Sequence, residues 1–511
     1  MSAAAAQALG AVGALGLALL LVATRRDLRV AGLVGWAVGC GGLVAYLAPS
    51  GHHRALAAAA VLAAVFAVAG AWIVVRVPWL LALATLACVP ARIPVHLGST
   101  QANLLLPLYA VVGVAALAFA WELYGEEPRN RELGPLAWPL ALFVGWDGLS
   151  FLWTKDVRQG AIELLFFVLP FGLLAVALAR LVWSRAWVLT LYVQLALMAL
   201  IFAVIGIVQY ESRDIFWNPK VRVDNAYAPS AWFYRVNSVF YDPSIYGRFL
   251  VVGILASLVV VLRRRGDPLW AVAAVLTIGI TWVGLLSSFS QSSFVALAAA
   301  VVIAAIVVWR ERSVFLVAAA VVALVLAGVA SPQIRHRIEG RTSLSSITSD
   351  RSTLVSNGAR LAVHHPIIGV GVGGFRRGYA DLQHLRGKEP RAAASHTTPI
   401  TVAAETGFPG LVLFLLLVAA ALHTAFRRLG RGFDGNARLA FGLTLSAILV
   451  HCLFYNSLFE DPTFWGLLAL VAVGARADLP TVEAEGSLLV YSDPVPQHPS
   501  PGPATGMPDP A

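Results

Sequence analysis

The feature that most constrains this chain is a series of apolar runs, each about long enough to cross a bilayer as a helix, separated by arginine-bearing gaps. A spanning helix takes about 17–25 mostly apolar residues, because the hydrocarbon core is about 30 Å thick and each residue rises about 1.5 Å. Such runs occupy 6–23, 30–48, 55–75, 77–89, 103–121, 136–153, 161–179 and 187–209. After a polar gap they resume at 240–262, 269–286, 290–309 and 313–330, and after a longer one at 399–425, 438–456 and 462–475. Two of the runs are short, so about 13–15 spans are expected. None alternates with period two, the pattern of a membrane barrel strand. The expected fold is an all-α, polytopic transmembrane helical bundle with a large extracytoplasmic loop containing short helices. Composition agrees, since 59% of the 511 residues are hydrophobic and 13% charged, where a soluble domain is about a quarter charged. That balance excludes a water-soluble enzyme, a disordered chain and a coiled coil. The net charge of +10 does not point to nucleic acid, because the basic residues are scattered between apolar runs.

The positions of Lys and Arg give an orientation. Eighteen basic residues, from Arg25, Arg26 and Arg29 through Arg180, Arg263–Arg265 and Arg427 to Arg476, fall in gaps on one side. The short loops opposite hold four: Arg54, Arg92, Lys155 and Arg158. The first side is therefore expected in the cytoplasm, with the N-terminus and both long gaps outside. The organisation read from this is N-terminal helices over 1–209, a first extracytoplasmic loop at 210–239 and central helices over 240–330. A large extracytoplasmic loop at 331–398, C-terminal helices over 399–476 and a proline-rich disordered cytoplasmic tail at 477–511 follow. The N-terminal run has no basic leader or clear cleavage site and is read as a retained span. Cys40, Cys88 and Cys452 lie inside apolar runs without metal-ligand spacing and are read as small core residues. No internal repeat is evident, which weighs against inverted-repeat transporters.

The chemistry is expected in the long outer loops. Between 331 and 398 there are ten basic and four acidic residues, a local charge of +6, with five of the eleven histidines. Arginine is disfavoured outside, so this excess points either to an anionic substrate such as phosphate, gripped by planar guanidinium forks, or to anionic lipid headgroups. Ser349–His365 places Leu354, Val355, Leu361 and Val363 on a short amphipathic helix expected to lie on the membrane and to end at Pro366. The run Gly369–Phe375 follows no strand, so it is read as a turn that folds the loop back over a cavity rather than as a dinucleotide cradle. His396 stands at the mouth of the next helix, either as an ordinary interfacial histidine or as a general base. Glu405, about two and a half turns further, is either a helix-packing acceptor or a carboxylate facing a cavity or a cation. Upstream, Arg235 precedes a span that contains Asp242 and Arg248, which either pair with each other or line a wet cavity. The aromatic residues around them, such as Trp232 and Tyr241, suit an interfacial belt and a sugar-stacking surface equally.

These residues resemble the O-antigen ligase and O-antigen polymerase superfamily of bacterial envelope glycosyltransferases, in four ordered pieces over roughly 140–475. Arg235-Val-Asn-Ser-Val-Phe-Tyr-Asp-Pro243 is similar to the family's Arg-x-x-Gly-x-Phe-x-(Asp/Asn)-Pro start of a membrane helix. Ser288-Phe-Ser-Gln-Ser-Ser-Phe294 resembles its small-residue helix start, and Arg351 with Pro366 and Ile368-Gly-Val-Gly371 its Arg…Pro-x-x-Gly-x-Gly loop. His396 through Gly410 resembles its His-(Asn/Thr)…Glu-x-Gly-x-x-Gly segment. The chain departs from the pattern at Gln291, where many members have arginine, at Ser238 in place of glycine, and at Thr397 where asparagine is common.

The resemblance implies an integral-membrane glycosyltransferase of the bacterial cytoplasmic membrane, without cofactor or metal. Such an enzyme moves glycan from an undecaprenyl-diphosphate carrier to a glycan, lipid or protein acceptor hydroxyl on the outer side. It implies diphosphate held by Arg235 and Arg351, and His396 activating the acceptor. Arg360 is a substitute for the contact missing at Gln291, Asp242 and Arg248 are further substrate-site candidates, and Glu405 is expected to orient His396 or pair with an arginine. Two rivals stand beside this reading. A transporter or flippase for an anionic solute or lipid-linked glycan would need intramembrane charges along a continuous path, and a non-catalytic assembly scaffold would need none. No nucleic-acid partner is expected.

Overall fold

The computed structural model describes residues 1–48, 53–97, 100–124, 131–213, 234–263, 268–309, 351–384, 395–427, 429–430 and 432–476. It is an all-α polytopic membrane protein, with ten helices among the described residues long and apolar enough to span. In chain order these and the shorter helices are α1 Ala3–Val22, α2 Arg26–Leu47, α3 His53–Arg76, α4 Leu80–Cys88, α5 Leu106–Tyr124, α6 Ala137–Ser150, α7 Val157–Glu163, α8 Leu169–Arg180 and α9 Arg185–Ser212. Then come α10 Pro243–Leu262, α11 Pro268–Ser288, α12 Gln291–Trp309, α13 Arg351–His364, α14 Phe375–Leu382, α15 Thr398–Phe426, α16 Phe433–His451 and α17 Pro462–Gly474. The expected span at 313–330, the first half of the large loop and the tail at 477–511 lie outside the described residues.

Two departures from the apolar pattern have local causes. Residues 77–104 hold the nine-residue α4, in place of the short expected span at 77–89, and a hairpin, β1 Ile93–Leu97 antiparallel to β2 Thr100–Leu104, in the gap before the next one. The hairpin is a connector between α4 and α5. Between α7 and α8 one turn, Leu164–Val168, is widened to a π-helix in which the Leu169 N–H reaches the Leu164 carbonyl. Pro170 stands just beyond and has no N–H to continue the ordinary ladder, which makes this a proline-induced bulge.

The closest helix packing is glycine-mediated. A Cβ on Gly39 of α2 would fall 2.3 Å from the Gly13 Cα of α1, and one on Gly16 2.5 Å from the Trp36 nitrogen. Small residues let two membrane helices approach backbone to backbone, where dispersion contacts replace the absent hydrophobic drive.

The bundle has two chemically distinct ends. At one, Arg29 is buried, donating to the Ala23 carbonyl and to Glu132 at 2.5 Å; Arg180 joins Glu132 at 3.2 Å and Glu122, and Arg185 pairs with Asp434 at 3.0 Å. Arg131 and Arg476 close this end on the Val22 and Ala179 carbonyls. At the other end lie the starts of α10, α12, α15 and α17 and the ends of α6, α11 and α16.

Candidate active site

The turn before α10 is built from polar groups that satisfy one another. Asp242 caps the helix, its carboxylate accepting the Ser244 N–H at 2.6 Å, and Pro243 at the first position needs no partner for a missing N–H. Gln209 donates to Asn237 at 3.0 Å and accepts the Ser238 N–H at 2.8 Å. Ser238 has φ +52°, a conformation that favours glycine, and its hydroxyl donates to the Phe202 carbonyl at 2.8 Å. Half-buried Arg235 is held by two donations, Nε to the Ser288 carbonyl at 3.2 Å and Nη2 to Ser244 Oγ at 3.4 Å.

Ser288 belongs to the turn between α11 and α12, where Phe289 also has a positive φ of 47°. Ser290, Ser292 and Ser293 are all buried, with Ser290 Oγ 2.7 Å from Ser293 Oγ and 3.3 Å from Ser292 Oγ. Gly247 of α10 makes room for them, because a Cβ there would sit 2.7 Å from Ser293 Oγ. Ser292 Oγ is 3.0 Å from His451 Nε2, at the end of α16.

The turn between α16 and α17, residues 452–461, follows directly on His451 and gathers α10, α15 and Arg92. Arg248 Nη2 pairs with Asp461 at 3.0 Å and Nη1 donates to Ser457 Oγ at 3.0 Å, with Arg248 and Asp461 both buried. The Cys452 carbonyl accepts the Thr398 N–H at 3.0 Å, and Thr398 Oγ1 donates to Asn456 at 3.1 Å. Arg92 donates to the Glu460 carbonyl at 2.8 Å and pairs with its carboxylate at 3.4 Å. His396, half-buried with φ +54°, is thus attached to this turn through the first residue of α15.

The charged candidates of the α10 region change roles. Arg248 and Asp242 do not pair with each other: the arginine is taken by Asp461, and Asp242 is a helix cap. A buried guanidinium must be neutralised, and a carboxylate that also caps α17 through the Thr463 N–H at 2.9 Å does it here. Arg248 thus has a carboxylate and a hydroxyl as its partners within the bundle.

Glu405 is also reassigned. Its buried carboxylate accepts the Phe375 N–H at 3.1 Å, and the Glu405 and Ala404 carbonyls accept from Gly371 and Val370 at 2.8 and 2.9 Å. The carboxyls of Glu163 and Asp147 are its acidic neighbours. Its contacts run to the glycine-rich stretch, and it donates to or accepts from neither an arginine nor His396 among them. That run inserts against a break in α15 at Gly407, φ +71°, and against α6 and α7. Thr154 Oγ1 donates to the Val372 carbonyl at 2.7 Å, and the Val372 N–H to Ser150 Oγ at 2.9 Å. Gly371 has φ +82°, and a Cβ there would lie 2.3 Å from the Thr154 Cα, so the turn demands glycine twice over.

Helix α13 packs Leu361 and Ala362 into a small core with Val370, Phe375, Ala403 and Ala404, while Val363 and Arg360 are exposed. Of the expected apolar face, Leu361 is therefore bound to protein and Val363 turned outward. Arg351 begins the helix, but its side chain lies outside the described ones. Lys155 pairs with Asp381 at 2.7 Å and Arg377 with Asp156 at 3.1 Å, tying α14 to the start of α7.

Between α4, α9, α10, α16 and α17 lies a cavity of about 510 Å³ with a mostly apolar lining, which runs from Phe249 and Pro462 to Arg263 and Phe433. Among the described residues no group of three or more His, Cys, Asp or Glu is arranged to hold a metal ion.

Residues 276–415 match the family model described as O-antigen ligase. This match supports membership of the O-antigen ligase and polymerase superfamily. The matched stretch runs from within α11 to within α15 and carries the serine turn, Arg351, the glycine-rich run and His396. Arg235, Arg248, His451 and Asp461 lie outside it and join it in space. No curated protein matches the chain.

Sequence reasoning missed His451, Ser457 and Asp461. His451 sat inside an apparent apolar span, although a signal for Asp461 was present: Asp461-Pro-Thr repeats the cap pattern of Asp242-Pro-Ser, and a buried Arg248 requires a carboxylate.

Proposed function

We propose that this O-antigen ligase-type membrane enzyme transfers a glycan from an undecaprenyl-diphosphate carrier to an acceptor hydroxyl on the outer side of the bacterial cytoplasmic membrane. The observations that carry the reading are the Arg235 guanidinium on the Ser288 carbonyl, the contact of the neighbouring serine cluster with His451, and the Thr398 N–H, two residues from His396, on the adjoining Cys452 carbonyl, in a bundle that also holds an apolar cavity. A lipid diphosphate has the same division, a doubly charged head and a hydrocarbon tail.

In this reading the basic end of the bundle, with Arg29, Arg180 and Arg185, faces the cytoplasm, as the positive-inside bias requires. Arg235 and Arg351 bind the diphosphate. His396 accepts the proton of the acceptor hydroxyl as its oxygen attacks the anomeric carbon. The bond from that carbon to the diphosphate oxygen breaks, and the electron pair leaves with the diphosphate, whose growing charge the arginines stabilise. Positive φ at Ser238, Phe289 and His396 fits a functional site, because such strain of about 1–3 kcal/mol per residue persists only where the surroundings impose it.

The test is transfer by the purified full-length protein in detergent, with a glycan on undecaprenyl diphosphate as donor. His396→Ala and Arg351→Ala are expected to abolish product while leaving the unfolding midpoint unchanged. Retained transfer in the double variant would refute the assignment, and vesicle uptake of the donor without covalent product would favour a transporter.

A further inference from the structure

A continuous line of buried polar groups joins Arg235 to His451. Arg235 Nη2 donates to Ser244 Oγ at 3.4 Å, and the carbonyl of the same Ser244 accepts from Ser293 Oγ at 3.4 Å. Ser293 meets Ser290 at 2.7 Å, Ser290 meets Ser292 at 3.3 Å, and Ser292 meets His451 Nε2 at 3.0 Å. His451 is fully buried at the last residue of α16, its ring 5.7 Å from that of Tyr455. On its other side the adjoining Cys452 carbonyl takes the Thr398 N–H, two residues from His396. His451 therefore stands between the group assigned to the diphosphate and the group assigned to the acceptor.

We propose that His451 is a positioning residue that sets the guanidinium of Arg235 through the Ser292–Ser290–Ser293–Ser244 line and fixes its spacing from His396. The proposal rests on the reading of Arg235 as a diphosphate ligand. Serine hydroxyls can each donate one bond and accept others, and the Ser244 carbonyl can only accept, so Ser293 donates to it, Ser290 to Ser293 and Ser292 to Ser290. That leaves the Ser292 oxygen as acceptor, and His451 Nε2 closes the chain at its far end as the donor. Small displacements at a positioned group are costly for transfer, since about 1 Å can cost two orders of magnitude in rate. Packing alone at the end of α16 would be served equally by an apolar ring; a histidine facing a serine is not needed for it.

Affinity for undecaprenyl diphosphate, measured by quenching of intrinsic tryptophan fluorescence on full-length protein in nanodiscs, tests this. His451→Ala and Ser292→Ala are each expected to weaken binding about tenfold, and His451→Asn, whose amide can still meet Ser292, to stay within about threefold of the unsubstituted protein. In an Arg235→Ala background, adding His451→Ala is expected to change affinity by less than about twofold, because the positioned group is gone. Equal losses in both backgrounds would overturn the proposal, as would unchanged binding in folded Ser292→Ala and His451→Ala. If Arg235→Ala itself binds undecaprenyl diphosphate normally, the diphosphate reading of Arg235 fails, and the positioning role with it.

Discussion

The Arg248–Asp461 pair allows a scaffold role to be separated from a substrate role by energy alone. At 3.0 Å the mutual attraction is about 5–6 kcal/mol at an effective dielectric of about 20. Taking both charges out of water costs several kcal/mol per ion, so the pair as a whole contributes little net stability. Removing one partner leaves the desolvation cost without the attraction. Arg248→Met is therefore expected to destabilise by about 3–5 kcal/mol, strandng a buried carboxylate. Asp461→Asn, which strands the arginine, should cost a similar amount while keeping the α17 cap, since asparagine caps about as well as aspartate. The double variant removes both charges, fills the space with a flexible apolar side chain and keeps the cap, so it should return to within about 1–2 kcal/mol of the unsubstituted protein. Reversible unfolding in mixed micelles with increasing SDS, followed by intrinsic fluorescence, measures all four proteins. Additive losses in the double variant would refute the argument, because they would mean that each residue serves a partner other than its neighbour. Recovery of glycan transfer together with stability would place Arg248 in the scaffold rather than on the diphosphate.

Gly371→Ala forces a Cβ onto backbone at a positive φ and is expected to cost about 2–4 kcal/mol in the same unfolding assay. Gly279→Ala in α11, where nothing lies within 4 Å, is its control and should be neutral or slightly stabilising. His396→Ala should lower the transfer rate by about 10²–10⁴-fold, the range of a lost general base, with little effect on undecaprenyl diphosphate affinity. His365, at the outer end of α13, is pushed below the usual histidine pKa by partial burial and then by the nearby Lys155 and His364 charges. The folded protein then binds fewer protons than the unfolded chain as pH falls through about 6.5, so stability declines in that direction. Hydrogen exchange at 361–375 should accordingly speed up between about pH 7 and 5.5, and His365→Asn should flatten the dependence.

The bundle was legible in the sequence because length and apolarity alone decide whether a segment can cross a bilayer, and the ten spanning helices follow that rule. The glycine-rich run was legible as a turn but not in its seat, because nothing local says that Gly371 will press on Thr154, more than two hundred residues away. The partner of Glu405 was hidden for the same reason. A carboxylate in an apolar run must have a partner, and sequence offers histidine and arginine as candidates but cannot show a backbone N–H such as that of Phe375. Ser238 shows the converse: a departure from the family pattern becomes intelligible once the positive φ and the bond to Phe202 are seen together.

Arginine does different work at the two ends, and this sharpens what the charge pattern means. At the basic end Arg29 and Arg180 share Glu132, so charge counted in the positive-inside bias is also consumed in buried pairs. At the other end Arg248 is likewise consumed, but Arg235 is held by neutral acceptors, a carbonyl and a hydroxyl, in the contacts that fix it. A guanidinium positioned by neutral groups keeps its charge for an anion, whereas one paired with a carboxylate must give up that partner first. The distinction between scaffold and site thus rests on what neutralises each arginine rather than on how many arginines a loop contains. By that criterion Arg235, rather than Arg248, is the group we propose for a substrate phosphate.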